Sequence, residues 1–194
     1  MLTMKKILAL VILCCVFFLR CAQANSTVTP QLPTISQLSL QRLMQPVRHA
    51  QSLFLGGDIA ASVNLSKGRV LWLFGDSLIG NSNYPKRFVR HMTHNSIGLM
   101  ALSHDQWQMK YYWRHHGFFI PANSHVFAWP MSGVIFHRHL LLLMNVYQKD
   151  KQFVFVGNEL VLVKNYQKIP SQWKWQWQKI NVPKSIVLSD MVVD

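Results

Sequence analysis

From Gly56 onward, short runs rich in β-branched, aliphatic and aromatic residues alternate with polar turn residues at intervals of roughly ten. That spacing predicts an all-β domain, because no long stretch shows the three-to-four-residue apolar repeat of an amphipathic helix. A first group comprises Asp58 to Leu65, Arg69 to Phe74, Ser96 to Leu102 and Gln106 to Trp113. Ser66-Lys67-Gly68 is a tight turn joining the first two runs, with Gly68 supplying a positive φ, and Ser103-His104-Asp105 joins the last two. A second group repeats the arrangement: Gly133 to Phe136, Leu140 to Tyr147, Phe153 to Val163 with a turn at Gly157-Asn158, and Trp173 to Ile180. Two successive four-stranded antiparallel meanders of about fifty residues each predict a partial β-propeller of about two blades, with a β-sandwich as the alternative. Propellers close with roughly four to eight blades, whereas this chain has length for two and the start of another at Ile186 to Val193. A truncated propeller, one completed by oligomerisation, and a sandwich all meet that arithmetic.

Two segments precede the domain at 56–194. Residues 1–24 carry Lys5 and Lys6, an uncharged apolar run from Ile7 to Leu19, and then Ala22-Gln23-Ala24, the layout of a signal peptide cleaved after Ala24. The apolar run falls short of the ~20 residues that span a bilayer. The expected product is therefore secreted or periplasmic, without a transmembrane segment after cleavage. Residues 25–55 form a polar, proline-containing lead-in in which only Ile35 to Met44 could make a short helix. All three cysteines, Cys14, Cys15 and Cys21, lie in the leader, which excludes a disulfide framework, a thiolate metal site and a cysteine nucleophile from the mature chain.

Composition narrows the chemistry. Half of the 194 residues are hydrophobic, so the chain can bury a core and is not a disordered polymer. Its net charge of +13 falls to +10 once Lys5, Lys6 and Arg20 leave with the leader, which makes an anionic polymer a natural partner. The cations are scattered, however, and no helix-turn-helix, zinc finger or RNA-recognition motif is present, so no specific nucleic-acid partner is expected. Phosphate-binding glycine loops, serine nucleophile elbows and metalloprotease helices are absent, and no cofactor is expected. The seven Asp and Glu residues make carboxylate chemistry a short search.

Asp58 and Asp76 stand out. Each follows a glycine, Gly57 or Gly75, and they flank a hairpin centred near Lys67. If the hairpin is symmetric about Lys67, residues whose numbers sum to 134 oppose one another, and these two aspartates do. Directly opposed side chains on one sheet face have Cβ atoms ~4.5–5.5 Å apart. Two carboxylates in so small a volume do not both ionise cheaply, which allows one to serve as general acid beside an ionised nucleophile or base. A carboxyl separation near ~5 Å favours retention and ~6.5–9.5 Å favours inversion in glycoside hydrolysis. The structural alternative is that both aspartates merely satisfy backbone donors at strand ends.

Gly57-Asp58 with Ser62, then Leu71-Trp72-Leu73-Phe74-Gly75-Asp76-Ser77 and His94-Asn95-Ser96-Ile97, resemble the opening blade of secreted five-bladed β-propeller proteins of unknown function related to arabinan-cleaving glycoside hydrolases. The resemblance covers roughly Gly56 to Tyr147, the N-terminal blades only. It implies a central pocket with catalytic carboxylates, here Asp58 and Asp76, and places His94 and Asn95 where they would bind substrate. Trp129 and Ser132 occupy the segment where the resemblance implies an acid at the start of the second blade, and are candidate substrate contacts in its place. The implied function is hydrolysis of a polysaccharide of arabinan type, with truncation as a route to inactivity. The alternative is a non-catalytic secreted module that binds a glycan or a protein partner.

Two further clusters read as structural. His91 and His94, with His115, His116 and nearby arginines, have a spacing seen in metal sites, but strands and loops do not bring positions i and i+3 onto one face, so a solvated basic surface is expected and no metal. Trp173, Trp175 and Trp177 would share one face of a strand, where packing is the more common use of indoles than sugar stacking.

Overall fold

The computed structural model describes residues 53–83, 86–104, 106–149, 154–183 and 185–191. The leader, the lead-in helix expected at Ile35 to Met44, and Asp105, Asp150 and Asp194 lie outside the described residues. The described chain is all-β, and its strands form antiparallel sheets. β1 (Leu53–Gly57) is followed by β2 (Ala61–Asn64), β3 (Arg69–Phe74), β4 (Ser77–Asn83), β5 (Lys86–Thr93), β6 (Ser96–Ser103) and β7 (Gln106–Tyr112). β8 (Val126–Phe136), β9 (His139–Gln148), β10 (Phe155–Val163) and β11 (Trp175–Lys179) complete the order, with one 3-10 turn at Pro170–Gln172.

The two expected four-stranded groups exist. One sheet has the order β2-β3-β6-β7, and the other is the meander β8-β9-β10-β11. They pack against each other like neighbouring propeller blades or the layers of a sandwich. Leu71, Leu73 and Ile97 from the first sheet meet Leu140, Leu142, Met144, Val161 and Val163 from the second, all with essentially no exposure. Burial explains why β9 reads as an almost unbroken apolar run: Leu140, Leu142, Met144 and Val146 face this core, while Leu143 and Asn145 are buried on the opposite face. The tryptophan row also packs inward. Trp173 is buried in the core, Trp175 and Trp177 lie against it, and the Trp177 indole donates to the Ile120 carbonyl at 3.1 Å.

The first group is interrupted where the sequence pattern showed no strands. Between β3 and β6 the chain makes β4 and β5, which join β1 in a third sheet of order β1-β4-β5. Ser77–Asn83 is rich in Ser, Gly and Asn and lacks a clean alternation. Its pairing is fixed by its neighbours on both sides, which is how tertiary context overrides local propensity. Gly157-Asn158 is likewise not a turn. Gly157 has φ 155° and marks a register shift within a continuous β10. The expected new strand from Ile186 is absent among the described residues; instead Asn158 holds that segment, its Nδ2 donating to the Ile186 carbonyl at 2.7 Å and its Oδ1 accepting the Leu188 amide at 3.0 Å.

Close approach of the two sheets depends on Gly133. A Cβ there would lie 2.7 Å from Leu142 Cδ2 and 2.8 Å from Val63 Cγ2. Gly133→Ala is therefore expected to destabilise the protein by about 1–3 kcal/mol, the usual effect of overpacking. A urea titration with an unchanged midpoint would refute this account of the contact.

Candidate functional site

The β2–β3 hairpin delivers two aspartates to one end of its sheet. Ala61 pairs with Leu73, Ser62 with Trp72, Val63 with Leu71 and Asn64 with Val70, so partners sum to 134 as the symmetric turn requires. Ser66, Lys67 and Gly68 all have positive φ. Pairing continues beyond the strand ends, where the Asp58 amide donates to the Asp76 carbonyl at 3.1 Å and the Gly75 amide to the Asp58 carbonyl at 3.0 Å. Asp58 and Asp76 thus face each other across the open end of the hairpin.

This approach needs the two glycines. A Cβ at Gly75 would overlap Asp58 Oδ1, and one at Gly57 would lie 2.9 Å from Ser77 Oγ. Ile59, beside Asp58, is held at φ 59°, a left-handed conformation that a β-branched residue adopts only under constraint. On the other side, Ser77 Oγ donates to the Gly75 carbonyl at 2.8 Å. Its single proton is then used, so the buried Ser96 hydroxyl donates to it at 2.7 Å. These hydroxyls tie the Gly75-Asp76-Ser77 turn to the start of β6, joining two motifs that the sequence separates by about twenty residues.

The two carboxyls have different surroundings. Burial, and then the charge of Asp76, raise the Asp58 carboxyl above its ordinary range, with the backbone amides of Asp76 and Asp58 opposing part of the shift. Asp76 Oδ1 accepts the Trp129 indole N–H at 3.0 Å and lies 3.3 Å from His94 Nδ1. Asp58 is exposed, whereas the Asp76 and His94 side chains are each 24% exposed. His94 stacks on Phe127 with centroids 4.2 Å apart, and Trp129 packs beside Tyr147 at 4.7 Å. The result is a carboxyl pair bordered by packed aromatic rings.

Four of the six expected site residues come together here: Asp58, Asp76, His94 and Trp129. The other two are corrected by their burial. Asn95 is 1% exposed, and its Nδ2 donates to the Phe119 and Ala128 carbonyls at 3.1 and 2.9 Å while its Oδ1 accepts the Phe119 amide at 2.7 Å. Both polar atoms of its buried side chain are engaged with backbone, which it serves to hold. Ser132 is 8% exposed, beyond a β-bulge on β8, and its buried hydroxyl has no hydrogen-bond partner among the described residues. Its hydroxyl does not reach solvent.

Sequence reasoning missed Phe127, Tyr147 and Asn145. Asn145 pairs in register with Trp129, is 1% exposed, and neither of its side-chain polar atoms has a partner among the described residues. Its signal was a lone amide within the apolar run of β9. Glu159 does not join the pair. It sits on β10 opposite Lys179, and burial raises its carboxyl while Lys179 pulls it down. Among the described residues no group of three or more His, Cys, Asp or Glu gathers as a metal site would require, and His91, His115 and His116 form only a chain of ring contacts. No helix among the described residues is long and apolar enough to cross a membrane.

Trp129→Phe keeps the ring but removes the donor to Asp76. The expected loss is about 1.5–3 kcal/mol, as for a hydrogen bond to a charged group. In an Asp76→Ala background the same substitution should matter less, so a double-mutant cycle measured by urea unfolding reads the coupling. Additive losses would show that the two side chains do not interact.

Residues 47–185 match a family described as a domain of unknown function, DUF5005. No curated protein matches the chain.

Proposed function

This chain belongs to the DUF5005 family, and we propose that it is an exported glycoside hydrolase-like protein that cleaves a polysaccharide of arabinan type at the Asp58–Asp76 pair. The observation that carries this reading is the asymmetry of the pair: one carboxyl raised by partial desolvation and by its neighbour's charge, opposite one held by an indole N–H. In the proposed reaction Asp58 gives its proton to the glycosidic oxygen as the bond to the anomeric carbon breaks. Asp76 then serves as nucleophile or as the base that activates water, the division of labour that paired carboxylates support in glycosidases. Trp129 positions Asp76, and the faces of His94 and Trp129 border the sugar. The leader-like pattern at 1–24 supports an extracellular or periplasmic substrate.

A second reading, a non-catalytic glycan-binding module, is favoured by the aromatic border of the pair, which would hold a sugar without any proton transfer. Assay of the purified protein on arabinan and related polysaccharides, beside Asp58→Asn and Asp76→Asn, separates the two. Turnover that requires both carboxyls supports hydrolysis, and retention of glycan without turnover in all three proteins supports binding alone.

A further inference from the structure

At the end of the sheets remote from the aspartate pair, the hairpin turns surround a cavity of about 830 Å³. Seven residue steps along β3 and its flank separate Arg69 from Asp76, roughly 23 Å at the rise of a strand. The β2–β3 turn and the start of β3 contribute Lys67 and Arg69, the β8–β9 turn and the start of β9 contribute His137, Arg138 and His139, and the segment after β10 contributes Lys164. None of the described carboxylates lines it. Arg69 is fixed across the two sheets, donating through Nη1 to the Gln167 carbonyl at 3.0 Å and through Nη2 to the Tyr166 carbonyl at 3.2 Å.

The turns hold these basic residues in an unfavourable backbone. Lys67, His137 and Arg138 have φ of 51°, 44° and 65°, where Gly or Asn would sit with less strain. Four permanent cations converging on one concave space, without a carboxylate to neutralise them, attract anions. We propose that this cavity binds the anionic groups, sulfate or carboxylate, of a glycan chain. A single-stranded nucleic acid fits less well, because its bases require aromatic platforms: no Phe or Trp lines the cavity, Tyr166 is buried, and the only other rings are the imidazoles of His137 and His139. The inference does not depend on hydrolysis at the aspartate pair.

The test titrates the purified protein, at about 0.15 M salt, with labelled heparin, polygalacturonate, neutral dextran and a thymidine oligonucleotide. Heparin alone binding identifies sulfate, polygalacturonate alone identifies carboxylate, and both binding supports the shared chemistry; dextran should not bind. Lys67→Asn with Arg138→Asn should weaken glycan binding about tenfold and reduce its salt dependence. Asn suits the left-handed backbone, so this variant should unfold at or above the wild-type temperature, which separates lost binding from lost fold. Lys110→Gln with Lys179→Gln removes the same charge from exposed strand positions outside the cavity and should change binding by less than about twofold. Equal weakening in both double variants, failure of both glycans to bind, or tighter binding of the oligonucleotide than of either glycan would overturn the proposal.

Discussion

Asn95→Ala should destabilise the protein by about 3–5 kcal/mol, among the largest losses a single substitution produces. The amide makes three hydrogen bonds at 2.7–3.1 Å to backbone of the 113–119 segment and of β8. Removing it leaves the Phe119 amide and the Phe119 and Ala128 carbonyls without partners in a buried setting, where each orphaned group costs about 1–3 kcal/mol. Gly117 suits the loop to this side chain, since its φ is 125° and an added Cβ would lie 2.8 Å from Asn95 Nδ2. Asn95→Asp should also destabilise, because a carboxylate cannot donate to the two carbonyls. Urea unfolding checks both, and a loss below about 1 kcal/mol for Asn95→Ala would show that the loop does not rely on this side chain. The consequence reaches the site: Asn95 anchors the start of β6, so it also sets the position from which His94 meets Asp76.

The largest expected loss of activity follows removal of either aspartate. If the protein hydrolyses glycans, Asp58→Asn should lower kcat/KM by about 10²–10⁴, the range that a positioned general acid supplies. Asp76→Asn should lower it at least as far, because the amide can still accept from Trp129 but is a poor nucleophile and base. The pH dependence identifies the acid. Wild-type activity should fall on the alkaline side as Asp58 loses its proton, at a pH above the ordinary carboxylate range. In Asp58→Asn that alkaline limb should disappear from the residual activity. Equal turnover by wild type and both variants would eliminate the assigned roles.

Stability supplies an independent reading of the same group. The Asp58 carboxyl is raised in the folded protein, so the fold favours its protonated form. Its contribution therefore declines as pH rises through the interval between the ordinary and the raised value. Asp58→Asn removes this burden and should unfold at or above the wild-type temperature at neutral pH. If Asp58 is the acid of the proposed reaction, a residue that weakens the fold beside Asn95, which sustains it, is the contrast expected between a functional carboxyl and a supporting amide.

Much of this architecture was written in local chemistry. The Ser66-Lys67-Gly68 turn fixed the β2–β3 register, because a side-chain period of two leaves one pairing that buries Val63, Leu71 and Leu73 together. That register alone brought Asp58 opposite Asp76. Alternating apolar runs likewise determined the two four-stranded sheets. Tertiary structure decided what local pattern could not encode. β4 and β5 form because β1 and each other supply their hydrogen bonds, although their own residues carry little strand signal. Asn95 and Ser132 look available in a linear motif, yet burial depends on segments far along the chain, and it turned one into an anchor and enclosed the other. The basic cavity shows the same rule from the opposite side: Lys67, Arg138 and Lys164 are scattered cations in sequence, and only the common direction of three strand ends gathers them into one anion-attracting space.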